Sequence, residues 1–348
     1  MNIKMLSLAV AGSLVVSACG QQPADAPQSS DTAGKSPAAQ PALIEIDGSS
    51  TVYPITEAVA EEYQIANQGK VRVTVGVSGT GGGFKKFCRG ETVISDASRP
   101  ILDAEISACR EAGIEFIELP VAFDALTVVV NPENTWLEAI TVAELKKLWE
   151  PEAQGVVMNW NEVNPNWPAE PVKLFGAGAD SGTFDYFTEA VVGKAKSSRG
   201  DFTASEDDNV LVTGVASDSN ALGFFGFAYY KENTDKLRAL PIKATDESAG
   251  VLPALETVND GTYTPLSRPI FIYVNAKAAR ERPEVMAFVE FYLKESSALI
   301  TEVGYVPLPD EAYTLAADKL HGFDVGTVFE GHSEVGVRIE DLLRRESK

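Results

Sequence analysis

Hydrophobic and polar positions follow two different periods along the chain, and these periods predict strands and helices in turn. Residues 44–47 (IEID) and 71–77 (VRVTVGV) alternate apolar with polar side chains, so both segments predict strands. Residues 52–66 repeat apolar side chains at helical spacing. Pro54 lies in the first turn of that predicted helix, where a missing N–H group costs nothing.

The same two periods recur through the rest of the sequence. They predict strands at 121–131, 172–175 and 269–275, and helices at 141–150, 183–192 and 283–303. Strands that alternate with helices over about 300 residues indicate an α/β protein with mostly parallel sheets.

Composition adds limits on size and on partners. The chain has 348 residues, which is enough for two domains with sizeable cores. Hydrophobic residues make up 45% and charged residues 23%, as in an ordinary soluble globular protein. The net charge of −21 argues against binding to nucleic acid or to anionic lipid surfaces. Any anion site in this chain must therefore act through local hydrogen bonds.

The N-terminus has the pattern of an export signal. Lys4 precedes an apolar run at 5–16 that is too short to cross a bilayer, so residues 1–18 fit a signal peptide. The small residues directly before Cys19 resemble a bacterial lipoprotein cleavage site, which implies a lipid on Cys19. An ordinary signal peptide with a chance cysteine is the alternative. Residues 19–42 are rich in Ala, Pro, Gln and Ser, which predicts a disordered tether.

Cysteine usage agrees with export. With Cys19 assigned to the anchor, Cys88 and Cys109 remain as an even pair in an oxidising compartment. A disulfide between them would close a loop of about 20 residues and add roughly 3 kcal/mol of stability on the chain-entropy model. Two free buried thiols are the alternative.

Four turns rich in glycine and hydroxyl residues stand out as candidate chemistry. They lie at 48–51, 78–83, 96–99 and 180–183, and three of them lead from a predicted strand into a predicted helix. Ser and Thr are common helix caps, so each turn alone is explained by capping. Glycine also lets backbone N–H groups approach a ligand, and helix N-termini favour anions. Four similar turns can converge on one small oxyanion at the carboxyl ends of the strands.

Two catalytic interpretations of these turns are alternatives to an oxyanion-binding site. The segment GTGGGFKK lacks the Gly-Lys-Ser/Thr ending of a nucleotide-binding loop. Residues 76–80 nearly match the nucleophile elbow of a hydrolase around Ser78, and His321 and His332 follow in the right order, but the final glycine is missing. These are the only two histidines, which is few for a metal phosphatase.

Four stretches of the chain together resemble one known family. They are DGSSTVYPITEAVAEEY, GVSGTGGGFKKFCRGETVISDASRPI, WNEVNPNWPAEPVKLFGAGADSGTFDYF and VGYVPLP. They resemble the periplasmic or lipid-anchored phosphate-binding proteins of high-affinity phosphate ABC importers, of the type II periplasmic-binding class. The likeness covers nearly all of residues 44–309.

The resemblance implies a function and a fold. It implies an extracytoplasmic receptor, in the periplasm or at the cell surface, that binds inorganic phosphate and delivers it to the permease subunits of an ABC importer. It implies no enzymatic activity, no cofactor or metal, no nucleic acid partner, and membrane attachment through the lipid anchor only. The implied fold is a two-lobed clamshell with hinge crossings near 121–131 and 267–275. Lobe 1 would comprise residues 43–125 plus 271–348, and lobe 2 residues 126–270.

The resemblance also assigns the phosphate contacts. Carried over position by position, the family's binding turns fall on Ser50, Thr51, Ser78, Thr80, Gly81, Asp96, Ser181, Gly182 and Thr183. Some members place an arginine just before the Ser-Gly-Thr motif, where this chain has residues 176–179 (GAGA). Arg99, in the loop after Asp96, is the candidate for the missing positive charge.

We hypothesise that Asp96 makes the site selective for phosphate over sulfate. An ionised carboxylate can accept a hydrogen bond from a phosphate O–H group, whereas sulfate brings no proton. Asp180 is the next candidate for that acceptor. A receptor for sulfate or molybdate, a secreted serine hydrolase or phosphatase using Ser78, and an adhesion or scaffold protein on the same fold remain as alternative functions.

Overall fold

The fold is built on a ten-stranded sheet whose strands alternate with helices along the chain. The computed structural model describes residues 41–179, 181–205, 207–329, 338–345 and 347. The predicted signal peptide, Cys19, Asp180, His332 and nearly all of the predicted tether lie outside the described residues.

The bounds of the elements are as follows. The strands are β1 (Ala42–Gly48), β2 (Val71–Val77), β3 (Ile94–Ala97), β4 (Phe116–Val130), β5 (Ile140–Thr141), β6 (Lys173–Ala177), β7 (Thr203–Ser205), β8 (Ala221–Gly226), β9 (Arg238–Ala239), β10 (Ile242–Lys243), β11 (Ser267–Asn275) and β12 (Val306–Pro307). The helices are α1 (Tyr53–Ala66), α2 (Thr80–Cys88), α3 (Asp103–Glu111), α4 (Val142–Trp149), α5 (Trp160–Val163), α6 (Gly182–Val192), α7 (Asp208–Ala216), α8 (Phe227–Glu232), α9 (Leu255–Asn259), α10 (Ala276–Glu281), α11 (Pro283–Glu302), α12 (Asp310–Gly322) and α13 (Ile339–Leu343), with a 3₁₀ turn at Pro151–Ala153.

The sheet consists of two parallel groups joined by antiparallel strands. The order is β2-β1-β3-β11-β4-β8-β6-β7, with the short β12 and β9 also paired to β4. β1 runs parallel to β2 and β3, and β6 runs parallel to β7 and β8. β11 and β4 are antiparallel to each other and to β3 and β8, their outer neighbours. The α/β prediction is therefore correct, but the prediction of mostly parallel sheets is wrong, because the two middle strands carry the chain in opposite directions.

β4 is the longest strand and belongs to both groups. All fifteen of its residues are buried. Its first part pairs with β11 as far as Ala125, and from Leu126 onward it pairs with β8. A strand buried along its whole length is expected to form a nearly continuous apolar run, which is what residues 121–131 show.

Three of the candidate turns leave the sheet at one edge. Gly48, the last residue of β1, is in register with Val77 at the end of β2 and with Asp96 in β3. Because parallel strands end at the same edge, the turns that follow them lie next to one another. The register thus positions a site that the sequence could only suggest.

The predicted disulfide between Cys88 and Cys109 is present. Cys88 is the last residue of α2, and Cys109 lies near the end of α3. The bridge therefore fastens together two helices that both begin near the turns described above.

Candidate anion-binding site

Residues of the first three turns line a cavity of about 180 Å³, whereas Ser181, Gly182 and Thr183 of the fourth turn are not among its lining residues. One side is lined by residues 49–51, residues 79–81, Ser98 and Arg99. The other side is lined by Asp185, Glu189, Ala195 and Arg268, which come from α6, the segment after it and β11. The walls thus combine hydroxyl groups, glycine backbone and charged side chains of both signs.

Two helices begin at this cavity without a side-chain cap. The N-cap positions of α1 and α2 are Val52 and Gly79, and neither helix has a side-chain cap hydrogen bond within the described part of the chain. The capping interpretation of the first two turns is therefore wrong. In α1 these first N–H groups are already used, since the Tyr53 N–H donates to the Ser49 carbonyl oxygen and those of residues 55 and 56 donate to the Val52 carbonyl oxygen. In α2 the N–H groups of residues 80–82 have no partner among the described residues, and together with the helix dipole they favour an anion.

The start of α6 differs in this respect. Ser181 is its N-cap, and the Ser181 hydroxyl accepts a hydrogen bond from the Thr183 N–H at 3.2 Å. Gly182 lies against Thr51: a Cβ added to this glycine would stand 2.8 Å from Thr51 Oγ1 and 3.2 Å from Thr51 Cα. The absence of a side chain at 182 therefore lets the fourth turn approach the first.

The backbone of the first turn is fixed by a tyrosine from a distant part of the chain. The hydroxyl of Tyr305, directly after α11, donates to the Thr51 carbonyl oxygen at 2.7 Å. Within the same turn, the Thr51 N–H group donates to the Ser49 hydroxyl at 3.2 Å. These contacts leave the Thr51 side-chain hydroxyl without a hydrogen-bond partner among the described residues.

The second turn contributes Thr80 and Gly81 to the cavity, but not Ser78. Thr80 Oγ1 lies 3.1 Å from Ser98 Oγ and accepts a hydrogen bond from the Ser98 N–H at 3.2 Å. The Ser78 hydroxyl instead donates to Asp47, which also forms a 2.6 Å salt bridge with Lys86. The Ser78 side chain is therefore bonded to Asp47 of β1 and does not line the cavity.

This placement also bears on the hydrolase alternative. A serine nucleophile needs a base within hydrogen-bond reach, and the partner of Ser78 is a carboxylate already paired with a lysine. His321 lies on α12, where its Nε2 is 2.9 Å from Glu290. Ser78 and His321 thus have separate partners in the described residues.

Asp96 is fully buried beside the cavity. One carboxylate oxygen accepts a hydrogen bond from the Thr56 hydroxyl at 3.1 Å, and the other is buried with no partner in the described residues. The backbone oxygen of Asp96 accepts from the N–H of Ser49, which lines the cavity. Burial raises the pKa of Asp96; together with the opposing effect of the Thr56 hydrogen bond and a smaller upward effect of the Asp47 charge, the result is a pKa of about 7.

Arg99 reaches the cavity but is already paired. Its two terminal nitrogens donate to the Glu105 carboxylate at 2.8 and 2.9 Å, and one of them also donates to the Pro100 carbonyl oxygen. Such a two-pronged contact is the strong form of the arginine–carboxylate pair.

Arg268 is a second arginine at the cavity, and the sequence analysis missed it. It stands on β11, with its guanidinium 3.7 Å from the ring centroid of Tyr186. It contacts Glu189 at 3.2 Å and Asp124 at 3.5 Å, and its buried Nε has no partner in the described residues. A charged residue next to the apolar run 269–275 is a weak signal, and nothing in the sequence links it to turns more than eighty residues away.

Two carboxylates also line the cavity. Glu189 is the partner of Arg268, and Asp185 lies 3.7 Å from Lys196. Burial raises the pKa of Asp185, and one of its oxygens is buried without a partner in the described residues. A bound anion therefore meets acidic as well as basic neighbours.

The structure thus brings part of the predicted set together in one cavity. Ser50, Thr51, Thr80, Gly81 and Arg99 line it. Gly182 adjoins it through Thr51, and Asp96 adjoins it through Ser49. The described residues contain no cluster of three or more His, Cys, Asp or Glu side chains suited to a metal ion. None of the helices in the described ranges combines the length and the apolar character needed to cross a bilayer.

Known proteins share both the sequence and the fold. A family model described as a PBP superfamily domain matches residues 26–296. Protein SphX of Synechococcus elongatus is 54% identical over 308 residues, covering 88% of this chain and 90% of that protein. Phosphate-binding protein PstS of Staphylococcus saprophyticus is 37% identical over 276 residues, covering 79% and 83% respectively. The crystal structure of a possible phosphate binding protein from Planctomyces limnophilus is 47% identical with a TM-score of 0.77, and the match covers 81% of this chain and 98% of that one.

Proposed function

The chain belongs to the PBP superfamily, whose two-lobed fold was expected from its sequence, and from this premise we propose that it binds inorganic phosphate and delivers it to an ABC importer. The relatives named as phosphate-binding proteins support the choice of ligand. The observation that carries the proposal is a cavity of about 180 Å³, lined by residues of three predicted turns, onto which α2 opens with an uncapped N-terminus.

Each group at the site has a part in this proposal. The hydroxyls of Ser50, Thr51 and Thr80 and the N–H groups around Gly81 donate to phosphate oxygens. The start of α6, with Ser181, Gly182 and Thr183, donates from the opposite side. The unpartnered oxygen of Asp96 accepts the hydrogen bond of a phosphate O–H group. Ser78 and Arg99 would join the contacts only after leaving their present partners, Asp47 and Glu105.

The proposal includes a division into two lobes. Lobe 1 comprises residues 43–125 plus 271–348, and lobe 2 residues 126–270. The change of partner along β4 at Ala125–Leu126 supports this boundary. Phosphate would then bind between the lobes, with the hinge at β4 and β11.

The same proposal places the protein outside the cytoplasm. The Cys88–Cys109 disulfide supports an oxidising compartment. Residues 1–18 would direct export, and a lipid on Cys19 would hold the protein at the membrane through the tether. The permease subunits of a phosphate importer would be its protein partner, and it would turn over no substrate.

Calorimetry on the purified protein tests the function directly. We expect one orthophosphate to bind per chain, because residues of three predicted turns line one cavity. A chromogenic phosphate ester incubated with the same preparation should show no hydrolysis above buffer.

Two results would contradict the proposal. One is the absence of a binding isotherm for phosphate in protein that has been unfolded, dialysed and refolded to remove retained ligand. The other is ester hydrolysis stimulated by added metal ions, which would indicate an enzyme.

A further inference from the structure

Arg268 stands where a bound anion needs positive charge. Its side chain is 12% exposed and lines the same cavity as the first and second turns. Its two contacts with carboxylates, at 3.2 and 3.5 Å, use two of the five N–H groups of a guanidinium. The buried Nε has no partner in the part of the chain that the structure describes. One N–H group on each terminal nitrogen remains for a ligand.

Arg99 is less well suited to that role. Both of its terminal nitrogens are committed to Glu105 at 2.8–2.9 Å, and Glu105 is itself only 17% exposed. An anion would have to break a short, two-pronged pair to recruit Arg99. The contact of Arg268 with Glu189 is a single hydrogen bond, and the Glu189 side chain is 53% exposed. This carboxylate can turn into solvent at little cost, because an exposed ion pair contributes little stability.

From this contrast we propose that Arg268 supplies the positive charge of the anion site and that Glu189 occupies it until the ligand displaces the carboxylate. The inference rests on the proposed function, since it takes phosphate as the ligand. Asp124, only 6% exposed, and the ring of Tyr186 hold the guanidinium in place on the other sides. The sequence led us to expect this positive charge from Arg99, whereas the structure favours Arg268 on β11.

Three variants test the two halves of this inference by phosphate titration. Arg268→Gln should lower the affinity about 10- to 100-fold, because a charge-assisted hydrogen bond is lost. Glu189→Gln should raise it about two- to fivefold, because the anion no longer competes with a carboxylate. In the double variant the gain from Glu189→Gln should vanish, because the two residues act on each other.

The chain offers a matched control. Arg280 contacts Glu115 at 3.7 Å and lies 4.8 Å from the ring centroid of Phe323, so it has the same kinds of partner. Arg280, Glu115 and Phe323 are not among the residues that line the cavity. Arg280→Gln and Glu115→Gln should leave phosphate affinity within twofold of the parent, which separates a local effect from a change in net charge.

The outcomes distinguish this inference from the proposed function. A parent protein that binds no phosphate contradicts the function itself. A parent that binds phosphate, with a folded Arg268→Gln variant of equal affinity, overturns the inference alone, and so does an equal gain from Glu189→Gln in both backgrounds. If Arg268→Gln does not fold because Asp124 loses its partner, Glu189→Gln decides: a higher affinity supports the exchange, and an unchanged or lower one overturns it.

Discussion

The carboxyl group of Asp96 shows how one residue can set the selectivity of an anion site. Burying a charge beside an anion is unfavourable, because like charges repel and both lose their hydration. The unpartnered oxygen of Asp96 gains a donor if the anion carries a proton, as phosphate does near neutral pH. Sulfate would leave that oxygen as an unpaired charge facing another charge. A site built around one hydrogen bond can reject an analogue that lacks it by a factor on the order of 10⁴.

Asp96→Asn should therefore narrow the preference for phosphate over sulfate, because an amide can donate to either anion. In the parent, sulfate should bind only when Asp96 is protonated. Since burial raises this pKa to about 7, sulfate affinity should fall about tenfold per pH unit above that pH and level off below it. The Asn variant should show no such slope. Competition binding across pH measures both effects. If the Asn variant rejects sulfate as strongly as the parent does, Asp96 is not the hydrogen-bond acceptor that discriminates between the anions, and Asp180 is the next candidate.

At the scale of elements, α2 and α3 form a braced unit beside the cavity. α2 begins at Thr80, which lines the cavity, and ends at Cys88 in the disulfide. α3 carries Cys109, and its first turn contains Glu105, the partner of Arg99. The bridge thus joins the helix whose N-terminus lies at the cavity to the helix whose Glu105 carboxylate binds Arg99.

Removal of this bridge should reduce stability. A protein with Cys88→Ser and Cys109→Ser should lose about 3 kcal/mol of unfolding free energy, since the closed loop constrains the unfolded chain. Denaturant unfolding of the parent with and without reductant provides the comparison, and the reduced parent should match the double variant. Intact mass should rise by about two units on reduction. Alkylation of both thiols in the parent without reductant would show that the bridge does not form in the exported protein.

At the scale of the whole described unit, the two parallel strand groups and the strands between them suit the proposed clamshell. The proposed lobes share only β4 and β11 as continuous strands, so we expect any relative motion of the lobes to be a bending at these two strands. Phosphate should close the lobes, because in the proposed site it would accept hydrogen bonds from groups of both lobes.

Distance measurements between spin labels test this closure. Cysteines introduced at Ile65 and Val210 would place one label in each proposed lobe, and Ile65 with Leu102 would place both in lobe 1; all three side chains are exposed. The distance across the lobes should shorten with phosphate, whereas the distance within lobe 1 should not change. Equal distances with and without phosphate for the first pair would contradict the hinge.

Sequence reasoning succeeded where the signal is local. The helix predicted at 141–150 is present as α4, and Thr141 caps it: its hydroxyl accepts from the Glu144 N–H at 3.1 Å, and the Glu144 carboxylate accepts from the Thr141 N–H at 2.9 Å. The helix predicted at 183–192 is present as α6, and Gly193 ends it with a positive φ of 93°. Both signals lie within a few residues of the feature they determine.

It failed where the partners come together only in the folded chain. The strand predicted at 121–131 begins at Phe116 in the structure. The prediction missed its first residues because Glu118 interrupts the apolar pattern, although its side chain is buried. Its carboxylate accepts hydrogen bonds from Tyr273 and Thr327, both at 2.7 Å. Arg268 was missed for the same reason, since its place at the cavity follows from the pairing of β11 with β4.

The length of β4 has a consequence for how the protein unfolds. A residue of this strand near Ala125 is flanked by pairing to β11 on one side of the sequence and to β8 on the other. Loss of the strand would expose the core beneath both groups at once, and Pro41–Lys348 accordingly form one compact unit. We therefore expect that neither proposed lobe is stable on its own, and that cooperative unfolding links a lesion in one lobe to the loss of the other.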